Sequence, residues 1–304
     1  MIRLGILGAE SSHAKAFAEY FLQKMPSGRP EGEEIRVSAV LDDGPQAAAL
    51  ARLTGAALVP DAQVLAGQVD AALITARRGS AHLALAQPLA ERGVPLFIDK
   101  PFASSPADAR ALAALLQARG CPVQGGSGCR LSPDVQALRR RAAALAGEGR
   151  LLGAGLCFGI DLDSPYDGFY FYAPHLVEMA LEIFGERVLS VNARRQGKNL
   201  TALLHYGDFS VSLHFLYASQ AAAASLYTDD GCITWTIDIS GIYDAEAARF
   251  AGLLRGTEKG LTAGQLVRPI EIIDAILRSD AADGAAITVP PSVCLRAAGD
   301  IRRA

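Results

Sequence analysis

The chain has 304 residues, of which 50% are hydrophobic and 20% charged, and its formal net charge is −3. This composition is ordinary for a globular protein with two domains, and the charge gives no electrostatic basis for binding nucleic acid or an anionic membrane. No apolar run approaches the roughly 18 to 20 residues that span a bilayer, and the first ten residues lack the form of a signal peptide, so we predict a cytoplasmic protein.

The first 125 residues alternate short apolar runs with helical segments. The predicted strands are residues 2–8, 35–41, 70–75, 94–98 and 122–124, and the predicted helices are 12–25, 46–53, 81–92 and 106–119. Such alternation is typical of βαβ units, a parallel sheet and a doubly wound α/β domain. A ligand is then expected at the carboxyl ends of the strands. We therefore predict a dinucleotide-binding domain over residues 1–125.

The pattern changes after residue 125, near the glycine-rich segment 125–130. Residues 200–205 and 209–217 flank a turn and predict a hairpin, and 232–240 alternates apolar and polar residues, with Trp235 on the apolar side. Helices are expected at 174–184, 245–254 and 263–277. Residues 126–304 are therefore predicted to form an α+β domain with a largely antiparallel sheet.

The five cysteines are scattered along the chain, and no C-x-x-C pair is present. An odd number without paired spacing argues against a disulfide framework and against a structural zinc site. We expect reduced thiols and no bound metal.

The segment after the first strand reads Gly8-Ala9-Glu10-Ser11-Ser12-His13. A strand that ends in glycine and leads into a helix is the arrangement that holds a pyrophosphate over the free N–H groups of the helix N-terminus. Of the three glycines of the full dinucleotide fingerprint, only the first is present. Residues 8–13 are candidate cofactor-binding residues, and Ser11 to His13 either cap the helix or face the phosphates.

Glu10 is the unfavourable residue of this loop. A carboxylate about 5 Å from a pyrophosphate costs about 3 kcal/mol at an effective dielectric constant near 20. Either its side chain turns away from the phosphates, or the loop takes another path.

Asp42 ends the second predicted strand. A carboxylate there can accept hydrogen bonds from both ribose hydroxyls and repels a 2′-phosphate, which favours NAD over NADP. The alternative is that Asp42 to Pro45 forms a simple turn, for which these residues are also suited.

Two further segments carry a family resemblance. Residues 69–75 (VDAALIT), His82 and residues 97–101 (FIDKP) resemble the V-D-A-V strand, helix histidine and E-K-P strand end of the glucose–fructose oxidoreductase and inositol dehydrogenase (Gfo/Idh/MocA) family. The resemblance implies a Rossmann domain joined to a domain with an open, mostly antiparallel sheet. It also implies hydride transfer with NAD or NADP at a carbinol or carbonyl carbon of a sugar, cyclitol or similar polyol.

The same resemblance assigns roles to individual residues. Lys100 matches the lysine that lies near the nicotinamide and the reacting oxygen, where a lysine can stabilise that oxygen or exchange a proton with it. Thr75 and Asp99, at two strand ends, join the candidate cofactor-binding residues. Arg130 matches an arginine that faces the substrate or, alternatively, pairs with a carboxylate.

The second family motif is D-x-G-x-H-x-x-D, which corresponds here to residues 171–178. His175 is retained as a candidate proton donor or acceptor, and the last acid is Glu178. Phe171 replaces the first aspartate, and Pro174 predicts that the helix begins at about that residue. Tyr172 is a candidate substrate-binding residue.

Two functions of different classes are compatible with these residues. The first is an NAD-dependent oxidoreductase with Lys100 and His175 as catalytic residues. The alternative is a catalytically idle relative that acts as a ligand-binding or regulatory protein, which Glu10, the two missing glycines and Phe171 favour. An exposed sheet face in the second domain predicts a homodimer or homotetramer.

Overall fold

The structure, a computed structural model, describes residues 1–24, 34–41 and 44–291. The chain forms two compact units. The first comprises Met1–Gly126 and Tyr243–Leu266, and the second comprises Ser127–Ile242 together with the described residues from Val267 on.

The first unit is built on a six-stranded parallel sheet with the order β3-β2-β1-β4-β5-β6. Its strands are β1 (Ile2–Leu7), β2 (Ile35–Leu41), β3 (Ala57–Val59), β4 (Ala71–Ile74), β5 (Leu96–Asp99) and β6 (Val123–Gly126). The strand order changes direction between β1 and β4, which is where doubly wound sheets bind their ligands. The prediction of a doubly wound Rossmann domain is confirmed.

The second unit is built on a seven-stranded sheet with the order β12-β11-β7-β10-β9-β8-β13. Its strands are β7 (Leu151–Gly159), β8 (Ser190–Gln196), β9 (Asn199–His205), β10 (Ser210–Leu216), β11 (Ala222–Thr228), β12 (Gly231–Thr236) and β13 (Ile287–Thr288). Among the described strand pairs, β7 and β10 run parallel and the rest are antiparallel. The predicted open, mostly antiparallel sheet and the hairpin between β9 and β10 are confirmed.

The helices follow most of the predicted segments. They are α1 (Ser12–Glu19), α2 (Pro45–Thr54), α3 (Ala62–Ala66), α4 (His82–Glu91), α5 (Pro106–Ala118), α6 (Pro133–Gly147), α7 (Phe169–Phe184), α8 (Ile242–Leu254) and α9 (Ala263–Ala281). A π-helical turn, Tyr20–Lys24, continues α1. No helix within the described ranges is long and apolar enough to cross a bilayer.

Helix α8 corrects the predicted domain division. The single boundary at residue 125 assigned this helix to the second domain, but its buried residues Ala247, Phe250 and Ala251 belong to the core around the first sheet. The rings of Phe250 and Phe97 lie 5.9 Å apart. The second part of the chain therefore returns to complete the core of the first unit.

The start of α7 is also corrected. The helix begins at Phe169, five residues before Pro174, because the aromatic residues of its first turn are buried. The ring of Phe169 packs 5.0 Å from that of Phe215 on β10, and Phe171 is also buried. Pro174 removes one backbone hydrogen bond near the helix N-terminus, and the burial of these rings offsets that loss.

Trp235 faces the helix-covered side of the second sheet. Its indole nitrogen donates a hydrogen bond of 3.1 Å to Asp134 Oδ1 on α6. The opposite face carries Thr201, Ser212 and Tyr227, so the open side of this sheet is largely polar. The expectation of an exposed apolar face is therefore wrong.

Candidate functional site

The loop between β1 and α1 turns at Gly8, which has a φ of +94°. A Cβ atom on this residue would lie 2.3 Å from the backbone nitrogen of Ala76, just after β4. Only glycine fits so close to another backbone segment. The first position of the dinucleotide loop thus has the geometry that its glycine is needed for.

Thr75 and His82 hold the same two segments together. Thr75 is fully buried, and its hydroxyl donates a hydrogen bond of 2.8 Å to the carbonyl oxygen of Gly8. The Nε2 atom of His82, at the start of α4, lies 2.8 Å from the carbonyl oxygen of Ala76. Both side chains therefore support the loop from inside the unit, and cofactor contact by Thr75 stays a prediction.

A cleft of about 500 Å³ opens beside this loop, at the carboxyl ends of β1 and β4. Its wall on the α2 side is apolar, which suits a flat heteroaromatic ring. The cleft is lined by Ala9, Glu10, Ser11, Ser12, Lys15, Gln46, Ala49, Leu50, Leu53 and Arg77. Four of the six predicted loop residues, 9 to 12, thus face one cleft; Asp42 lies outside the described residues.

Glu10 turns toward the segment after β4. Its Oε1 atom accepts a hydrogen bond of 2.8 Å from the backbone nitrogen of Arg77. This is the first of the two outcomes expected for Glu10, in which the side chain turns aside. Glu10, Lys15 and Arg77 all line the cleft, so its lining carries two cationic side chains against one carboxylate.

Residues 11 to 13 were expected either to cap α1 or to face the phosphates. Ser11 caps α1, because its Oγ accepts a hydrogen bond of 3.2 Å from the backbone nitrogen of His13. The His13 side chain points inward, with Nδ1 2.6 Å from Oδ2 of Asp99 and its ring 4.5 Å from that of Tyr243. The His13 ring therefore lies directly against the buried Asp99 carboxylate.

Asp99 positions Lys100. Its Oδ1 atom accepts a hydrogen bond of 2.7 Å from the backbone nitrogen of Lys100, and its side chain is only 3% exposed. Burial alone would raise the pKa of the Asp99 carboxyl, but His13 and Lys100 together hold that pKa below its ordinary value. The charged Asp99 carboxylate thus interacts with two neighbours. Lys100, itself buried, follows directly at the end of β5.

In the second unit, His175 lies on α7 and contacts the segment that precedes α6. Its Nδ1 atom is 2.7 Å from Oγ of Ser127 and 3.4 Å from Sγ of Cys129. Ser127 is fully buried. Neither neighbour was predicted from the sequence, although both belong to the glycine-rich segment 125–130 that marks the change of pattern.

Glu178 joins the same cluster one helical turn after His175. Its Oε2 atom accepts a hydrogen bond of 2.8 Å from the backbone nitrogen of Ser127 and lies 3.6 Å from Nε of Arg130. Both side chains are about 10% exposed. Of the two alternatives for Arg130, the pairing with a carboxylate is therefore present, and contact with a substrate stays a prediction.

Phe171 provides no carboxylate to His175. Its ring is buried between Tyr166 and Tyr172, at centroid distances of 5.1 and 4.7 Å. The half-buried Tyr172 lies 6.4 Å from the His175 ring. Within the described ranges, no group of three or more His, Cys, Asp or Glu residues is arranged to hold a metal ion.

Comparison with known proteins identifies the first unit. Residues 2–127 match the sequence model of the Gfo/Idh/MocA oxidoreductase family, described as an NAD-binding Rossmann fold. No curated protein matches the sequence.

Solved structures share the fold along nearly the whole chain. A putative myo-inositol dehydrogenase from Sinorhizobium meliloti is 18% identical with a TM-score of 0.76, covering 95% of this chain and 100% of that chain. The myo-inositol dehydrogenase from Lactobacillus casei, solved with NAD(H) and myo-inositol, is 15% identical with a TM-score of 0.79 and coverages of 96% and 98%. The WlbA dehydrogenase from Bordetella pertussis, solved with NADH and UDP-GlcNAcA, is 18% identical with a TM-score of 0.76 and coverages of 95% and 98%.

At these identities the solved structures establish the fold, and the family match covers residues 2–127. The glycine turn at residue 8, the parallel strand order and the FIDKP strand end all lie within the matched segment. Residues 2–127, which carry these features, match the Gfo/Idh/MocA family of oxidoreductases with an NAD-binding Rossmann fold.

Proposed function

We propose that the chain is a cytoplasmic NAD-dependent dehydrogenase that transfers a hydride to or from a carbinol or carbonyl carbon of a sugar, cyclitol or similar polyol. The observation that carries this proposal is the cleft beside the Gly8 turn, at the switch point of the parallel sheet. Strand β5 of the same sheet is followed directly by a buried lysine, Lys100. Solved relatives of the same fold bind NAD(H) with myo-inositol, or NADH with a nucleotide sugar.

The residues of the first unit fit a dinucleotide. Gly8 allows the backbone approach that a Cβ would block, and the apolar wall of α2 suits the adenine ring. Lys15 and Arg77 offset the charge of Glu10 near the phosphates. When bound, the nicotinamide accepts or supplies the hydride.

The catalytic roles fall to two residues, each assigned from the family resemblance. Lys100 stabilises the reacting oxygen and exchanges a proton with it, and Asp99 fixes its backbone. In the second unit, His175 is a candidate polar group for the substrate, with Arg130 and Tyr172 as candidate substrate contacts.

A direct test is titration of the purified protein with NADH while following nicotinamide fluorescence, combined with NAD-linked turnover on a panel of cyclitols and sugars. Saturable binding and turnover would support the proposal. The alternative, a ligand-binding or regulatory relative without catalysis, is favoured by the lack of a carboxylate at Phe171. Binding of polyols without turnover at any pH would establish that alternative.

The choice of cofactor gives a first prediction. Because a carboxylate at Asp42 accepts the ribose hydroxyls and repels a 2′-phosphate, we expect NADH to bind about tenfold or more tighter than NADPH. Asp42→Ala should narrow this ratio, and Asp42→Asn should narrow it less. Fluorescence titration measures both constants, and tighter NADPH binding by the wild type would refute the assignment.

Glu10 gives a second prediction. Its carboxylate lines the cleft, so Glu10→Gly should tighten NADH binding. We expect a change of about tenfold in affinity. This is a smaller effect than the about 3 kcal/mol for a carboxylate close to the pyrophosphate, because Glu10 is exposed and water screens its charge. Glu10→Gln is the matched control: it removes the charge and keeps an oxygen for the N–H of Arg77. If neither variant changes affinity, the dinucleotide does not approach Glu10.

Assembly gives a third prediction. The open face of the second sheet, largely polar but with Tyr227 44% exposed, is the candidate interface of a homodimer or homotetramer. Tyr227→Asp should lower the molar mass in solution, because it places a charge in such an interface. Light scattering at micromolar concentration decides this, and a wild-type mass of 31.9 kDa, that of one chain, would contradict it.

A further inference from the structure

The hydroxyl of Ser127 has a restricted set of partners. The residue is fully buried and directly follows β6. Its Oγ atom accepts a hydrogen bond of 3.3 Å from the backbone nitrogen of Cys129 and lies 2.7 Å from Nδ1 of His175. Its backbone N–H is donated to Glu178, which fixes the position of the residue from the other side.

A buried hydroxyl carries one proton and needs an acceptor for it. The Cys129 nitrogen is itself a donor, so within the described residues Nδ1 of His175 is the acceptor in contact with the Ser127 hydroxyl. If Nδ1 carried the proton instead, it would be the donor in this contact. The Ser127 hydroxyl proton would then have no acceptor there, which costs about 1 to 3 kcal/mol.

We propose that Ser127 is a positioning residue that donates its hydroxyl proton to Nδ1 of His175 and so holds the neutral ring in the tautomer with the proton on Nε2. The tautomer is inferred from the contacts of Ser127 alone, and its consequence for catalysis rests on the proposed function.

The tautomer decides whether Nε2 of His175 donates or accepts a hydrogen bond. A carboxylate partner would accept a proton from the ring and leave the other nitrogen as a base, whereas the Ser127 hydroxyl leaves Nε2–H as a hydrogen-bond donor. A donor of this kind stabilises the negative charge that develops on a carbonyl or alkoxide oxygen during hydride transfer. No proton leaves His175 in this role, and a carboxylate at the position of Phe171 is not required for it.

The contacts around Ser127 make this arrangement rigid. Glu178 accepts from the backbone of Ser127 and lies 3.6 Å from the guanidinium of Arg130, so the segment before α6 is tied to α7 at a second point. Cys129 contributes a backbone donor to Ser127, and its thiol lies 3.4 Å from the same Nδ1 atom. Because an S–H group is a weak donor, the shorter contact with Ser127 sets the tautomer.

The tautomer is measurable without any turnover. In protein labelled with ¹⁵N-histidine, NMR distinguishes protonated from unprotonated ring nitrogens, and His175→Gln assigns the signals of His175 among the five histidines. We expect wild-type His175 above its titration range to show an unprotonated Nδ1 and a protonated Nε2. A protonated Nδ1 in the wild type would overturn the proposal, whatever the variants do.

The variants separate the hydroxyl from the fold. Ser127→Ala should populate both tautomers, while Ser127→Thr, which keeps a hydroxyl, should restore the wild-type spectrum. Cys129→Ala removes the competing thiol and keeps the backbone donor, so it should leave the tautomer unchanged. A wild-type spectrum in Ser127→Ala, or a changed tautomer in Cys129→Ala only, would contradict the assignment to Ser127.

Kinetics then connect the tautomer with catalysis. Ser127→Ala should lower kcat by about ten- to a hundredfold with KM within about threefold, because a misplaced group costs mainly in the transition state. Ser127→Thr should recover most of the rate. If the expected tautomer is found and no substrate turns over, the oxidoreductase proposal fails while the role of Ser127 in orienting the ring is retained.

Discussion

Lys100→Ala is expected to lower turnover by about a thousandfold or more while changing NADH affinity by less than about tenfold. Lys100 follows β5 directly and is 5% exposed, so its ammonium group lies in a poorly hydrated place where a donor is worth more than in water. The reacting oxygen would lose this donor, whereas the dinucleotide phosphates, assigned to the loop after β1, would not.

Two controls make the Lys100 result specific. Lys100→Arg retains a positive charge but cannot give up a proton at neutral pH, so it should preserve NADH binding and lose most of the turnover. Lys259→Ala removes an exposed lysine of the same unit and should leave both quantities unchanged. Equal loss of NADH binding and turnover in Lys100→Ala would instead place Lys100 at the phosphates.

The alternation of strands and helices was enough to predict the doubly wound unit, because each βαβ element is local in sequence. The elements that were missed are those with weak local patterns. Strand β3 has three residues, β11 is largely alanine and serine, and α6 has several arginines on its surface. Helix α8 was found, but its place in the first unit depends on packing against Phe97, more than 140 positions earlier, which no local pattern reports.

The candidate site also combines features with local sequence signals and features that depend on contacts between distant residues. The Gly8 turn and Lys100 were predicted because each belongs to a short motif with a physical reason for its spacing. The partners of the two histidines were not predicted. His13 meets Asp99 and His175 meets Ser127 only after the chain has folded, at sequence separations of 86 and 48 residues. Nothing in the local sequence of Asp99 or Ser127 indicates a histidine partner.

The contact between His13 and Asp99 is expected to contribute strongly to stability. His13→Leu places an apolar, similarly sized side chain at a position with 11% exposure, but it leaves the buried Asp99 carboxylate without the imidazole that faces it. Breaking a buried pair on one side costs about 3 to 5 kcal/mol. We expect a loss near the lower value, about 3 kcal/mol, because Lys100 still supports the carboxylate. Urea unfolding followed by circular dichroism measures this loss.

The pH dependence identifies the carboxylate as the cause. In the wild type the pKa of Asp99 is held below its ordinary value by His13 and Lys100 against its burial, so this contribution to stability is present above about pH 4 and is lost as the pH falls through the folded pKa. Without His13, burial raises the pKa of Asp99 and the folded variant retains a proton more readily. The deficit of His13→Leu should therefore shrink between pH 7 and pH 4. In the double variant with Asp99→Asn the buried carboxylate is gone, so most of the lost stability should return at pH 7. A double variant no more stable than His13→Leu would show that shape, and not charge, is what His13 supplies.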